Sequence, residues 1–334
     1  MASQGQQYGT FKGEASKASH GEAGNSMADN GITAALILAW YALNALYNVD
    51  NKKALNIANL PYSISIIQLF VGWLWFLPLW GTGLRQAPKL YTSSTFWTRI
   101  VPQGICHLLV HLGAVVAMGM GAVSFVQIVK AMEPAFMAAL SAAVLGQYFS
   151  VWTYLALVPV IGGICLASAS ELSFTWIAFW GANVSNMGSA LRAIYAKMVM
   201  KDPKQLGENL TPANMYSMLT IVSTIACIPC ALIMEFSSFG PAISAAKEDK
   251  TTWEILYPMV MSGIWYYSYN EVAYVALGRV HQVTHAVANT IKRVVIIGVT
   301  IIVFQNPVDT KGYIGSAIAI LGTLLYSLSK LHFG

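Results

Sequence analysis

Three cations stand where an apolar sequence has least use for them: Lys130 in AVSFVQIVKAMEPAF, and Lys292 and Arg293 in NTIKRVVIIG. The second pair lies in an apolar stretch from about Val283 to Phe304, long enough to cross a bilayer. A fixed cation at a bilayer centre costs about 2.5–3.5 kcal/mol on insertion scales, so something must offset it. Carboxylates of the chain are the plain answer, with Glu133 one turn from Lys130 and Glu271 in the span before Lys292. Two carboxylates do not cancel three cations, and Glu133 precedes Pro134 near a helix end, where water can reach it. The missing anion is then expected from a ligand. A guanidinium forks onto phosphate or carboxylate while a lysine acts as a point charge. A dianion such as an organic phosphate or inorganic phosphate satisfies such a site.

Other polar residues of the apolar stretches have two readings each. His111 is a core-bonded histidine or a substrate contact. Tyr269-Asn270 donates to a ligand oxygen or bonds neighbouring helices. Arg192 and Lys197 sit towards the end of a span and are expected to snorkel to the interface. Cys227-Ile-Pro-Cys230 has redox spacing without the βαβ context of a redox site, and reads as small apolar filler. No Cys/His cluster has zinc spacing, and there is no P-loop or nucleophile elbow. No metal, no cofactor and no catalytic residue is therefore expected.

The elements that must position these residues are legible from composition. Of 334 residues 56% are apolar and 10% charged, with mean hydropathy +0.56. A soluble domain carries about 25% charged residues, so this surface is meant for lipid. The net charge of +5 comes without a basic face interleaved with aromatics, which argues against nucleic acid. Apolar runs of about 20 residues predict ten transmembrane helices, starting near Gly31, Pro61, Pro102, Ser124, Trp152, Phe174, Asn214, Trp253, Thr284 and Gly312. Residues 1–30 read as a disordered polar tail, without secretory or transit-peptide character; the address is carried by some other signal or by residues not in this chain. Ten spans put both termini on one side. That side holds Lys12, Lys17, Arg85, Lys89, Arg99, Lys197, Lys201, Lys204, Arg279 and Lys330, against Lys52, Lys53, Lys247, Lys250 and Lys311. The bias places the termini on the cytosol-like or organelle-interior face.

The halves resemble each other. Gly104-Ile105 matches Gly263-Ile264, and TYLALVPVIGGICLAS matches GYIGSAIAILGTLLYS with Tyr154 on Tyr313 and Gly163 on Gly322, all 159 positions apart. A duplicated block of five spans must be inverted in its second copy, the architecture of secondary transporters with a midplane site. The repeats are 31–172 and 173–334. Lys130 then falls in the fourth span and Lys292 and Arg293 in the ninth, its counterpart, all facing the pseudo-two-fold axis.

AVSFVQIVKAMEPAF, YSYNEVAYVAL, THAVANTIKRVVIIG and NVDNKKALN followed by LPYSISIIQL resemble the plastid phosphate translocators of the drug/metabolite transporter superfamily, over nearly all of residues 31–330. The resemblance implies an all-α integral membrane fold of ten helices in two inverted repeats. It implies a non-enzymatic antiporter that exchanges triose phosphates, and related C3 phosphates such as 3-phosphoglycerate, for inorganic phosphate by alternating access. The membrane is a plastid envelope, of a chloroplast or a secondary plastid such as an apicoplast, with lipid around the chain and no obligate protein partner. Carried over by motif, Lys130, Lys292 and Arg293 bind phosphate while His111 and Tyr269 lie around the carbon moiety. THAVANTIKRVVIIG is most similar to the triose-phosphate branch; His111 is also expected of the hexose-phosphate branch, whereas the phosphoenolpyruvate branch has asparagine there. The chain departs from the family at Val126-Gln127, where Thr-His is usual, at Glu271, where Gln is usual, and at Ala114, where a hydroxyl is common. These departures imply a broader C3 range. The alternatives are a phosphoenolpyruvate, pentose-phosphate or hexose-phosphate exchanger and, in a different class, a membrane-embedded lipid-phosphate transferase. The last needs a general base or clustered acids.

Overall fold

The computed structural model describes residues 22–199, 206–277, 280, 282–305 and 308–333, and the backbone alone at 22–30, 197–199, 274, 277, 282–283 and 285–286. Ten helical rods account for almost all of them: α1 Glu22–Ile57, α2 Pro61–Gly81, α3 Ser93–Met120, α4 Val123–Leu145, α5 Val151–Ala169, α6 Trp176–Val199, α7 Pro212–Asp249, α8 Thr252–Leu277, α9 Gln282–Phe304 and α10 Thr310–Phe333. Eight are long and apolar enough to cross a membrane; α6 and α8 have the length, with 24 and 26 residues, but more polar side chains. α1 begins at Glu22, so residues 22–30 are helix and not the expected tail. Once an apolar helix exists, each added residue gains a bond without a new nucleation cost. Residues 1–21 lie outside the described residues, as do Lys12, Lys17, Lys201, Lys204 and Arg279 of the charge count.

Local sequence sets the ends. Pro61 and Pro212 occupy first-turn positions, where a missing N–H costs nothing. Thr211 and Ser150 cap α7 and α5 by accepting from Asn214 N–H and Thr153 N–H. α4 is broken by a 3₁₀ turn at Lys130–Met132, because Pro134 lacks a donor and its ring crowds the Lys130 carbonyl. Two backbone carbonyls at the break find other partners. Val129 O accepts from Asn186 Nδ2 at 3.0 Å, and Ala131 O from Thr323 Oγ1 at 3.3 Å. Among the described residues the one strand pairing is a two-residue antiparallel ladder, β1 Lys89–Leu90 with β2 Gly207–Glu208, joining the α2–α3 and α6–α7 connections.

Helix packing follows a pattern of exchanged partners: α1 lies along α8 as α6 lies along α3, α2 meets α8 as α7 meets α3, and α5 crosses α10 as α2 crosses α7. Between lipid-exposed helices there is no hydrophobic drive to associate, so small residues that admit close backbones govern packing. A Cβ on Gly163 would stand 2.5 Å from Ala319 N, and one on Gly322 would stand 2.8 Å from Val160 N. Gly163 and Gly322 are 159 positions apart, and so are Val160 and Ala319. We expect Gly163→Leu to destabilise the detergent-solubilised protein by about 1–3 kcal/mol through overpacking. Gly162→Leu, where a Cβ meets nothing within 4 Å, should leave the unfolding temperature unchanged. Equal melting of the two variants would show that the α5–α10 crossing does not depend on the glycine.

Candidate functional site

The break in α4 places Lys130 at the start of its 3₁₀ turn, half-buried, with Nζ donating to Ser185 Oγ of α6 at 2.5 Å. Ser185 in turn donates to Val110 O of α3 at 2.7 Å. Glu133, at the start of the second half of α4, accepts from Arg293 Nη2 at 3.1 Å and from Ser189 Oγ at 2.5 Å. Arg293 is 9% exposed. Its neighbour Lys292 turns the other way around α9 and sets Nζ 4.8 Å from the centroid of Trp40 on α1. The structure thus brings together Lys130 of α4 and the cations of α9, 162 and 163 residues apart in sequence.

Glu133 therefore takes part in the centre, although its side chain stays half-exposed. Glu271 does not take part: it is ion-paired with Arg85, from the α2–α3 connection. Arg192 does not snorkel. Its Nη1 lies 2.8 Å from His107 Nδ1, and its charge repels both Lys130 and Lys292. An arginine near a span end is ordinarily a snorkelling residue, and nothing in its spacing distinguishes this one. Three cations (Lys130, Lys292, Arg293) thus act on Glu133, an excess of two positive charges, and Arg192 adds a further charge beside the two lysines.

The uncharged wall lies on α1, α3 and α8. His111 is 2% exposed, and neither ring nitrogen has a hydrogen-bond partner among the described residues. Its ring lies 4.1 Å from that of Tyr266. Tyr269 packs between Tyr47 and Tyr266 at 5.5 and 5.6 Å. Asn270 bonds the Tyr266 carbonyl of its own helix at 2.8 Å. Sequence reasoning missed His107 and Tyr266, whose Nε2 and hydroxyl respectively are 3.4 Å apart; their signal is the same separation of 159 positions that relates the repeats. Among the described residues no group of three or more His, Cys, Asp or Glu is arranged to hold a metal ion. Cys227 and Cys230 are free thiols, packed on α7 as filler.

Helices long and apolar enough for a bilayer, around a buried centre of excess positive charge, define a polytopic membrane protein with an anion-attracting interior. The sequence matches the Triose-phosphate Transporter family over residues 32–327. It is 37% identical over 305 residues to the triose phosphate/phosphate translocator, chloroplastic, of Spinacia oleracea, covering 90% of this chain and 72% of that one. It is 38% identical over 304 residues to the translocator of the same name from Pisum sativum, covering 89% and 72%. Glucose-6-phosphate/phosphate translocator 1, chloroplastic, of Arabidopsis thaliana is 36% identical over 297 residues, covering 87% and 74%. The chain belongs to the Triose-phosphate Transporter family. A crystal structure of 12% identity superposes with a TM-score of 0.50, covering 91% of this chain and 98% of the other, a likeness of fold alone.

Proposed function

We propose that this chain is a carrier, not an enzyme, that exchanges triose phosphates and related C3 phosphates for inorganic phosphate across a plastid envelope membrane. The observation that carries this reading is the buried centre in which Lys130, Lys292 and Arg293 outnumber Glu133. A phosphate dianion supplies the missing charge, with Arg293 forking onto it and the two lysines as point charges. Trp40 holds Lys292 by a cation–π contact that an anion can supplant. His111 and Tyr269 face the carbon moiety. The relatives reported above bear names of triose phosphate and glucose-6-phosphate exchange, in keeping with this chemistry.

Ten crossings in two inverted repeats, 31–172 and 173–334, are part of the same proposal. The exchanged helix partners and the matched Gly163–Ala319 and Gly322–Val160 crossings support it. A pseudo-two-fold axis would then pass between α4 and α9, so that one anion touches both halves. A transferase acting on lipid phosphate has less support, since no metal-binding group of acids is found among the described residues.

The test is counter-exchange of labelled phosphate in liposomes against C3 to C6 phosphates. We expect triose phosphate and 3-phosphoglycerate to drive efflux fastest. Exchange with glucose 6-phosphate alone would move the chain to the hexose-phosphate branch, one of whose translocators is 36% identical to it. No exchange at all would overturn the proposal. Within it, His111→Asn is expected to change the ratio of C3 substrates several-fold while phosphate self-exchange changes less than twofold. The ring lies beside the Ser65 backbone with no full-geometry hydrogen bond at either nitrogen among the described residues, so a substrate can take one up, and losing one hydrogen bond is worth about 0.5–1.5 kcal/mol. Equal loss for every substrate, phosphate included, would mark His111 as structural.

A further inference from the structure

The anion centre gives no part to NVDNK, residues 48–52 near the end of α1, although four polar side chains in this one turn reach four other helices. Asn48 Oδ1 accepts from Gln127 Nε2 of α4 at 3.0 Å. Asp50 Oδ2 accepts from Trp265 Nε1 of α8 at 3.0 Å. Asn51 Oδ1 accepts from Gln68 Nε2 of α2 at 2.7 Å, and Gln68 donates also to Ser262 Oγ of α8 at 2.8 Å. Lys52 Nζ donates to Met118 O and Gly121 O, where α3 ends, at 2.8 and 3.0 Å.

All these bonds lie between the centre and the face that carries the α3–α4 turn. Burial changes across the centre in the same sense. Every residue from Gly121 to Val129 is buried on the α3–α4 side of Lys130, whereas Met132–Met137 beyond it are half-exposed. In α1, Tyr47–Asn51 are all buried, while the corresponding stretch of α6, 191–196, is half-exposed apart from Ile194. The centre is shut towards the α3–α4 face. The bonds that shut it are of a kind that can open. The last carbonyls of a helix have no donor within it, so water can replace Lys52 there when the mouth widens, and the amide and indole bonds exchange for water at small net cost.

We propose, resting on the carrier reading above, that Asn48–Lys52 is the latch of the α3–α4 mouth: its side chains hold α2, α3, α4 and α8 together in this state and release them when the site opens to that face. Trp265, Gln68 and Gln127 are its keepers and touch no substrate.

The test is solvent access to Ser124, on α4 between that face and Lys130. Ser124 is 2% exposed and its hydroxyl has no hydrogen-bond partner among the described residues, so Ser124→Cys breaks no bond. In a background with Cys106, Cys165, Cys227 and Cys230 replaced by alanine, a charged maleimide should label this thiol slowly. We expect Trp265→Phe and Lys52→Met each to raise the labelling rate about tenfold, and Lys52→Arg, which keeps the donor, to leave it low. Ala138→Cys, buried in the other half of α4, reports unfolding and should stay protected throughout. A variant that exposes position 138 is replaced by Asp50→Asn, which removes the charge at constant shape. Unchanged labelling at 124 in the folded variants overturns the latch. Failure of the parent protein to exchange phosphate overturns the carrier reading instead, and the labelling rates still decide the latch.

Discussion

Lys130→Ala, Lys292→Ala and Arg293→Ala are each expected to lower phosphate exchange in liposomes by a hundredfold or more. Truncating one partner of a buried, hydrogen-bonded charge pair costs about 2–5 kcal/mol, and each 1.4 kcal/mol is tenfold. The three variants should differ in what they do to the fold. Lys130→Ala leaves Ser185 its bond to Val110 O, so the unfolding temperature should hardly move. Arg293→Ala strips Glu133 of its cation and leaves it Ser189; a half-buried carboxylate left without its cation is destabilising. Arg293→Lys restores charge but not the fork, and should recover stability with little recovery of exchange. Normal exchange by Lys130→Ala would remove the proposed centre.

Uptake into phosphate-loaded liposomes should exceed uptake into empty ones by roughly two orders of magnitude. Alternating access passes through a state sealed on both sides. Sealing an empty centre buries its positive excess, and unpaired buried ions cost several kcal/mol each after relaxation. Glu133 on Arg293 and Trp40 on Lys292 relieve part of that cost and leave the rest to the anion. Each ~1.4 kcal/mol unrelieved slows the empty return about tenfold. Glu133→Gln removes the internal counter-charge and should widen the ratio of loaded to empty uptake. Comparable uptake by loaded and empty vesicles would show that these charges do not gate the cycle.

The sequence by itself singled out Lys130, Lys292 and Arg293, because the cost of a cation in hydrocarbon is read from the span around it. It also determined the helical rods. A span is an apolar run and a close crossing needs a glycine, and the 159-residue spacing of Gly163 and Gly322 is written in the chain. Partner choice was decided by tertiary structure alone. Helical periodicity says that a polar residue points inward, but the crossing and rotation of the facing helix decide what it meets. So Glu133 took Arg293 from 160 residues away, and Glu271 was drawn to Arg85. Arg192, which any hydropathy scan leaves at an interface, turned to His107, and the polar residues of NVDNK became the seal of one mouth. Each of these pairs is set by a separation in space of about 3 Å, a length to which spacing along the sequence is blind.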